Sequence, residues 1–279
     1  VATGGDQPVG VLGVGIIKPG IAGINGGTSC TIQMYSEKLP IDPDINYFIE
    51  ISPEGGYAPE GAIYSGASAL MIWYRDNFGK PEIEEANKKG KNVWEVIYNK
   101  AAEVPAGSAG LMMVPYFAGA SGPYWDVRAR GVITGLLESH NRNHLIRSII
   151  EGQAYESRRI IDAMEKVTNL RLKEIRMYGG SSVSDIFNQI FADVLGVPVV
   201  TTNTPEATSL GSAICAAKSS GIYNTFEETV RNMVKINKRY EPDFKNSDIY
   251  GELYGNVYCR IYDRLKDLMH KTSLITKVP

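Results

Sequence analysis

Apolar residues recur at helical spacing over the longest patterned stretch of the chain, residues 141–168. Leu145, Ile146, Ile149, Ile150, Ala154, Ile160, Ile161, Met164 and Val167 fall on one stripe, as in a helix buried along one face. Residues 175–178 then read as a strand, followed at once by Gly179-Gly180-Ser181-Ser182. Ser184 or Asp185 caps a helix with Ile186, Phe187, Ile190, Phe191, Val194 and Leu195 on one side. Residues 197–201 form a further strand. Thr204-Pro205-Glu206 opens a helix of small residues, with cap, first-turn proline and first-turn acid in place.

Before the long helix the pattern is more broken. Asp6 caps a helix through Val9, Val11, Leu12 and Val14, ending near Lys18-Pro19-Gly20. Residues 21–25 and 28–35 read as a hairpin about Gly26-Gly27. Residues 41–59 are loop and short strand. Residues 60–78 read as a helix with Ile63, Ala67, Leu70, Met71 and Tyr74 on one face, 82–103 as a second helix, and 111–117 as a buried strand. Helices over 226–236 and 248–269 end the chain. Strands alternate with helices, so the class is α/β with a mixed sheet.

The 279 residues suffice for a real core. A net charge of -2 provides no basic field for nucleic acid. No apolar run approaches the ~18 residues of a membrane span. Cys30, Cys215 and Cys259 are scattered without metal-type spacing, which fits reduced thiols and a cytoplasmic location. The chain starts at Val1, without methionine, directly in motif-like sequence; the expectation is a piece of a longer protein with a partner domain.

Two stretches could carry chemistry. Gly4-Gly5-Asp6-Gln7 sets a carboxylate behind a glycine bend, and Asn25-Gly26-Gly27-Thr28-Ser29 is a tight turn with a hydroxyl beside it. A proton-accepting carboxylate and a turn whose backbone N–H groups can hold phosphate are two parts of a phosphoryl-transfer site. The same residues also make ordinary turns. Gly179-Gly180 at a helix N-terminus can approach an anion, or simply join strand to helix. Neither a Walker-type phosphate loop nor a Gly-x-Gly-x-x-Gly fingerprint occurs, and the Gly-x-Ser-x-Gly elbow of hydrolases is missing. His140 and His144 stand at a zinc-compatible spacing, but position 141 is Asn and no third ligand is evident, so they read as helix-start residues. Arg128 and Arg130 read as structural or solvated, and Trp125 as packing.

Gly131-Val132-Ile133-Thr134-Gly135-Leu136, followed after seven residues by His144-Leu145-Ile146-Arg147-Ser148-Ile149-Ile150-Glu151, resembles the C-terminal signature of the FGGY carbohydrate kinases and meets each of its constrained positions. Further motifs follow the same order from Gly4-Gly5-Asp6-Gln7 to about Tyr240, among them Glu60-Gly61-Ala62-Ile63, Pro123-Tyr124-Trp125-Asp126 and Leu210-Gly211-Ser212-Ala213. The resemblance implies an actin-like, ribonuclease-H-like fold, with residues 1–279 as the C-terminal, ATP-binding domain of a two-domain kinase. It implies a missing N-terminal domain that binds sugar, and transfer of the γ-phosphoryl of ATP, with Mg2+, to a sugar or polyol. By position, Asp6 matches the catalytic base and Gln7 a substrate contact. Gly27 and Thr28 match the turn at the ATP phosphates, and Gly179, Gly180 and Ser184 the adenosine site. Metal ligands are not assigned. The chain departs at Gly119-Ala120-Ser121, where the family carries Gly-Glu-Arg, and at Ser184, where glycerol kinases carry asparagine. A xylulokinase-like kinase is the leading expectation; a non-catalytic ATP-binding module or regulator, and a polymerising actin-like protein, are the alternatives. Loss of the partner domain would bare apolar surface, so a homodimer is also expected.

Overall fold

The computed structural model describes residues 4–277, so five positions of the expected 1–279 domain lie outside the described residues. In chain order the helices are α1 (Asp6–Gly13), α2 (Ser68–Phe78), α3 (Lys80–Lys89), α4 (Val93–Ala102), α5 (Arg142–Thr168), α6 (Asp185–Leu195), α7 (Ala207–Ser219), α8 (Phe226–Met233), α9 (Phe244–Leu253) and α10 (Cys259–Thr276). The strands are β1 (Ile21–Gly26), β2 (Cys30–Met34), β3 (Phe48–Ile51), β4 (Tyr57–Ile63), β5 (Met112–Val114), β6 (Val132–Thr134), β7 (Glu174–Tyr178), β8 (Val199–Thr202) and β9 (Ile236–Tyr240).

Seven strands form one sheet in the order β3-β4-β2-β1-β7-β8-β9. β1, β7 and β8 run parallel, and the outer pairings are antiparallel. The expected mixed sheet of an α/β protein is therefore present. One face carries Ile24, Ile32, Met34, Ile175 and Met177 into the main core with Ile149, Ile150 and Ile160 of α5. The other face is covered by α1, whose Val11 and Val14 pack with Ile16, Tyr178 and Ala207. Leu12 turns outward to Ile214 of α7 and Val230 of α8.

α1 and α7 meet through glycines. A Cβ on Gly13 would stand 1.8 Å from the carbonyl oxygen of Ala207, and one on Gly211 would stand 1.8 Å from that of Val9. No larger residue fits there, and this contact sets the position of the helix that carries Asp6.

Several expected bounds change. α1 ends at Gly13, not near residue 18, and Gly5 rather than Asp6 is its N-cap, with no side-chain capping bond. Residues 60–63 belong to β4, paired with β2, so the helix expected from 60 begins only at Ser68. Ile63 and Ala67 mimic a helical stripe because both enter the core, one from a strand and one from a turn. The helix expected over 82–103 is two, α3 and α4, divided at Gly90 with φ +62°. Thr204-Pro205-Glu206 lies ahead of α7, and Glu206 caps it without a side-chain bond. β9 was not foreseen. It is an exposed edge strand of sequence INKRY, and charged edges leave no alternation to read.

Candidate active site

Asp6 stands exposed in the first turn of α1. Its backbone carbonyl accepts from Thr208 Oγ1 at 3.3 Å, a second tie between α1 and α7. Gln7, one residue on, is fixed from the sheet below: its Oε1 accepts from Thr31 Oγ1 at 2.6 Å and from Asn25 Nδ2 at 3.3 Å. Thr31 and Asn25 are directly paired across β1 and β2. The sheet thus orients Gln7, while Asp6 remains open at the helix end.

Asn25 leads into the hairpin turn. Gly27 and Thr28 lie in that turn, with Thr28 exposed. The tip is anchored by α2, where Ser68 N donates to the Gly27 carbonyl at 2.9 Å and Ser68 Oγ to the Gly26 carbonyl at 3.3 Å. The second glycine pair packs onto the first. Gly179 takes φ +80°, and a Cβ there would lie 2.5 Å from Asn25 Oδ1 and 3.0 Å from Gly27 N. Only glycine permits both that φ and that approach. Turns about 150 residues apart in sequence therefore form one surface, with Gly180 at its edge.

Beyond Gly180 a cavity of about 570 Å³ opens, lined by Ser68, Met71, Trp94, Tyr98, Ser184 and Ile186 among others. Its size and mixed lining suit a small-molecule ligand. Tyr98 OH donates to Ser181 Oγ at 3.3 Å, holding one wall. Ser184 lines the cavity, but its hydroxyl also accepts from Phe187 N at 3.3 Å as the N-cap of α6.

A polar row lies beside Asp6. Gln33 of β2 is fully buried, and its Nε2 donates to Glu50 Oε2 at 3.2 Å and to Glu60 Oε2 at 2.6 Å. Burial raises Glu60 to about 7, with the Glu50 charge adding to it, and burial also raises Glu50, with the Asp6 charge as a smaller contribution. Sequence reading missed this row. Its signals are a glutamine between Ile32 and Met34 and the Glu60 of the Glu60-Gly61-Ala62-Ile63 motif.

Other candidates take structural roles. His144 Nδ1 accepts from Asn141 N at 3.2 Å, completing the cap of α5, and His140 Nδ1 accepts from Leu137 N at 3.0 Å. Arg130 donates to the Val127 carbonyl at 3.0 Å and to Ser273 Oγ at 3.1 Å. Trp125 packs edge-on against Phe48, and its Nε1 donates to the Ile45 carbonyl. Asp126 accepts from Tyr262 OH and His270 Nε2, each at 2.7 Å, which ties this loop to α10.

The C-terminal-domain profile of the FGGY family of carbohydrate kinases matches residues 22–220. The chain belongs to this family. The matched range holds Gly27, Thr28, Gly179, Gly180 and Ser184, whereas Asp6 and Gln7 precede it. A glycerol kinase of Shewanella amazonensis is 33% identical over 242 residues, covering 85% of this chain and 46% of its own. Xylulose kinase from Lactobacillus acidophilus superposes with a TM-score of 0.82 at 26% identity, over 95% of this chain and 51% of that one. Gluconate kinase from the same organism gives 0.80 at 26%, over 92% and 50%. The fold is accordingly the actin-like, ribonuclease-H-like fold of these kinases, and the chain spans about half the length of the relatives it matches. Among the described residues, no helix is long and apolar enough to cross a membrane.

Proposed function

We propose that this chain is the nucleotide-binding and base-bearing half of a kinase that transfers the γ-phosphoryl of ATP to a sugar or polyol. The observation that supports it is the continuity of the surface: Asp6, Gln7, Asn25, Gly27 and Gly179 follow one another through hydrogen bonds and backbone contact to the cavity. Adenosine enters that cavity between Trp94, Tyr98 and the N-terminus of α6, with Gly180 and Ser184 at its rim. The phosphates extend along Gly27 and Thr28, where backbone N–H groups meet their charge. Asp6 accepts the proton of the substrate hydroxyl, the hydroxyl oxygen bonds to the γ-phosphorus, and the bond to the β-γ bridging oxygen breaks to release ADP. Gln7 contacts the same substrate.

Among the described residues, no cluster of three carboxylate, His or Cys side chains can hold a metal. Mg2+, when bound with ATP, would neutralise charge on the phosphates. The N-terminal domain implied by the longer relatives supplies the rest of the sugar pocket and closes the cleft against water.

The test is ADP release by the full-length protein with glycerol, D-xylulose and D-gluconate, in wild type and Asp6→Asn. The variant keeps ATP affinity and loses about 10²–10⁴-fold in turnover, the usual contribution of a general base. Near-wild-type turnover would remove Asp6 from this role. A non-catalytic ATP-binding module would release no ADP with any of the three.

A further inference from the structure

The strand register places a second acceptor beside the base. Gln33 is directly opposite Glu60 in the β2–β4 pairing, and Thr31, two residues back, points the same way to hold Gln7. On β3, Glu50 shares that face, since Phe48 pairs with Glu60 and Glu50 with Ala58. One buried amide therefore holds two carboxylates in a row running from Gln7 toward the sheet edge. Glu50 uses only Oε2 for this bond. Its Oε1 lies 3.4 Å from where a Cβ on Gly5 would stand, next to Asp6. A second observation points to a ligand there. The Tyr178 hydroxyl, in a residue 2% exposed, has no hydrogen-bond partner. It reaches within 3.3 Å of the Cβ position of Gly10, one turn along α1 from Asp6, and feels Glu60 more than any other charge.

Gln33 is buried and Glu50 and Glu60 are half-buried, and the bonds from Gln33 Nε2 offset the cost of taking these groups from water. The row is not a metal cage, for the described residues include no such cluster. What it offers outward is acceptor oxygen, the complement of a hydroxyl. On the reading of this chain as a sugar or polyol kinase, we propose that Glu50 is a specificity-determining residue, accepting a hydrogen bond from the hydroxyl next to the one Asp6 deprotonates. Gln33 and Glu60 are its positioning residues. The ligand is then a vicinal diol, and the site discriminates against acceptors lacking that second hydroxyl.

The experiment measures binding, so that it does not depend on turnover. Full-length protein saturated with a non-hydrolysable ATP analogue is titrated with glycerol, D-xylulose and D-gluconate, in wild type, Glu50→Ala and Glu50→Gln. Removing a charge-assisted hydrogen bond weakens the best of the three by about 10- to 100-fold in Glu50→Ala. Glu50→Gln, whose amide oxygen still accepts, falls between, and affinity for the ATP analogue stays within about twofold in both. If Glu50→Ala does not fold, as loss of nucleotide binding would reveal, Glu50→Gln carries the test with about a tenfold loss. Acceptor affinity within about twofold of wild type overturns the proposal, as does absence of binding by all three compounds. Acceptor binding that depends on Glu50 without ADP release would sustain this site while refuting the kinase reading. ADP release indifferent to Glu50 would do the reverse.

Discussion

Glu60 shows how one side chain can make the domain sensitive to pH. Burial and the neighbouring Glu50 favour its neutral form, moving it from the ordinary 4.5 to about 7. The folded state thus holds this proton more tightly than the unfolded chain. The resulting stability is fully present below pH 4.5 and is lost as pH rises through about 7. Discounted for partial exposure, the loss is about 2 kcal/mol. Glu60→Gln, which cannot ionise, should therefore melt on the order of 4–8 °C above wild type at pH 8 and close to it at pH 5. Equal pH dependence in the two proteins would show that Glu60 titrates normally. Asp6, Gln7, Gly27 and Gly179 were legible in sequence because glycine bends and a carboxylate are local signals. Glu60 stood out only as part of the Glu60-Gly61-Ala62-Ile63 motif. Its meeting with Gln33 and Glu50 was not legible, because three strands of different sequence position had to pair before their side chains met.

At the scale of elements, α5 is the most legible, since 27 residues repeat one period and Asn141 caps it. Its charged residues could not be interpreted that way. Arg147, 5% exposed, donates to Glu151, 2% exposed, at 2.7 Å, and to Tyr250 of α9 at 2.8 Å. Glu151 also accepts from Ser108 Oγ at 2.8 Å and Tyr250 OH at 2.7 Å. Arg and Glu of the family-like signature thus join α5 to α9 and the turn before β5. Glu151→Ala leaves Arg147 buried without its carboxylate, a loss of about 3–5 kcal/mol, measurable by urea unfolding. A loss below ~1 kcal/mol would mean that the pair is not needed. The contrast is residues 60–78. Their apolar spacing reads as a helix, but pairing with β2 claims the first four, since strand and helix can bury the same short run.

At the scale of the whole molecule, Asp6, the glycine turns and the cavity lie along one continuous surface. Phosphoryl transfer, on the function proposed, needs donor and acceptor held together away from water. These 279 residues alone should bind nucleotide weakly and phosphorylate none of the three acceptors. ADP release by the isolated chain at a rate near that of the full-length protein would contradict this. The sequence alone determined the α/β class, the long helix, the hairpin, the glycine turns and the kinship to FGGY kinases, because these rest on local periodicity, turn chemistry and ordered motifs. Tertiary structure decided the extent of β4, the existence of β9, the joining of Gly27 to Gly179, and the polar row beside Asp6. Those features depend on which strands become neighbours, and a sheet with the order β3-β4-β2-β1-β7-β8-β9 brings together residues that no sequence interval relates.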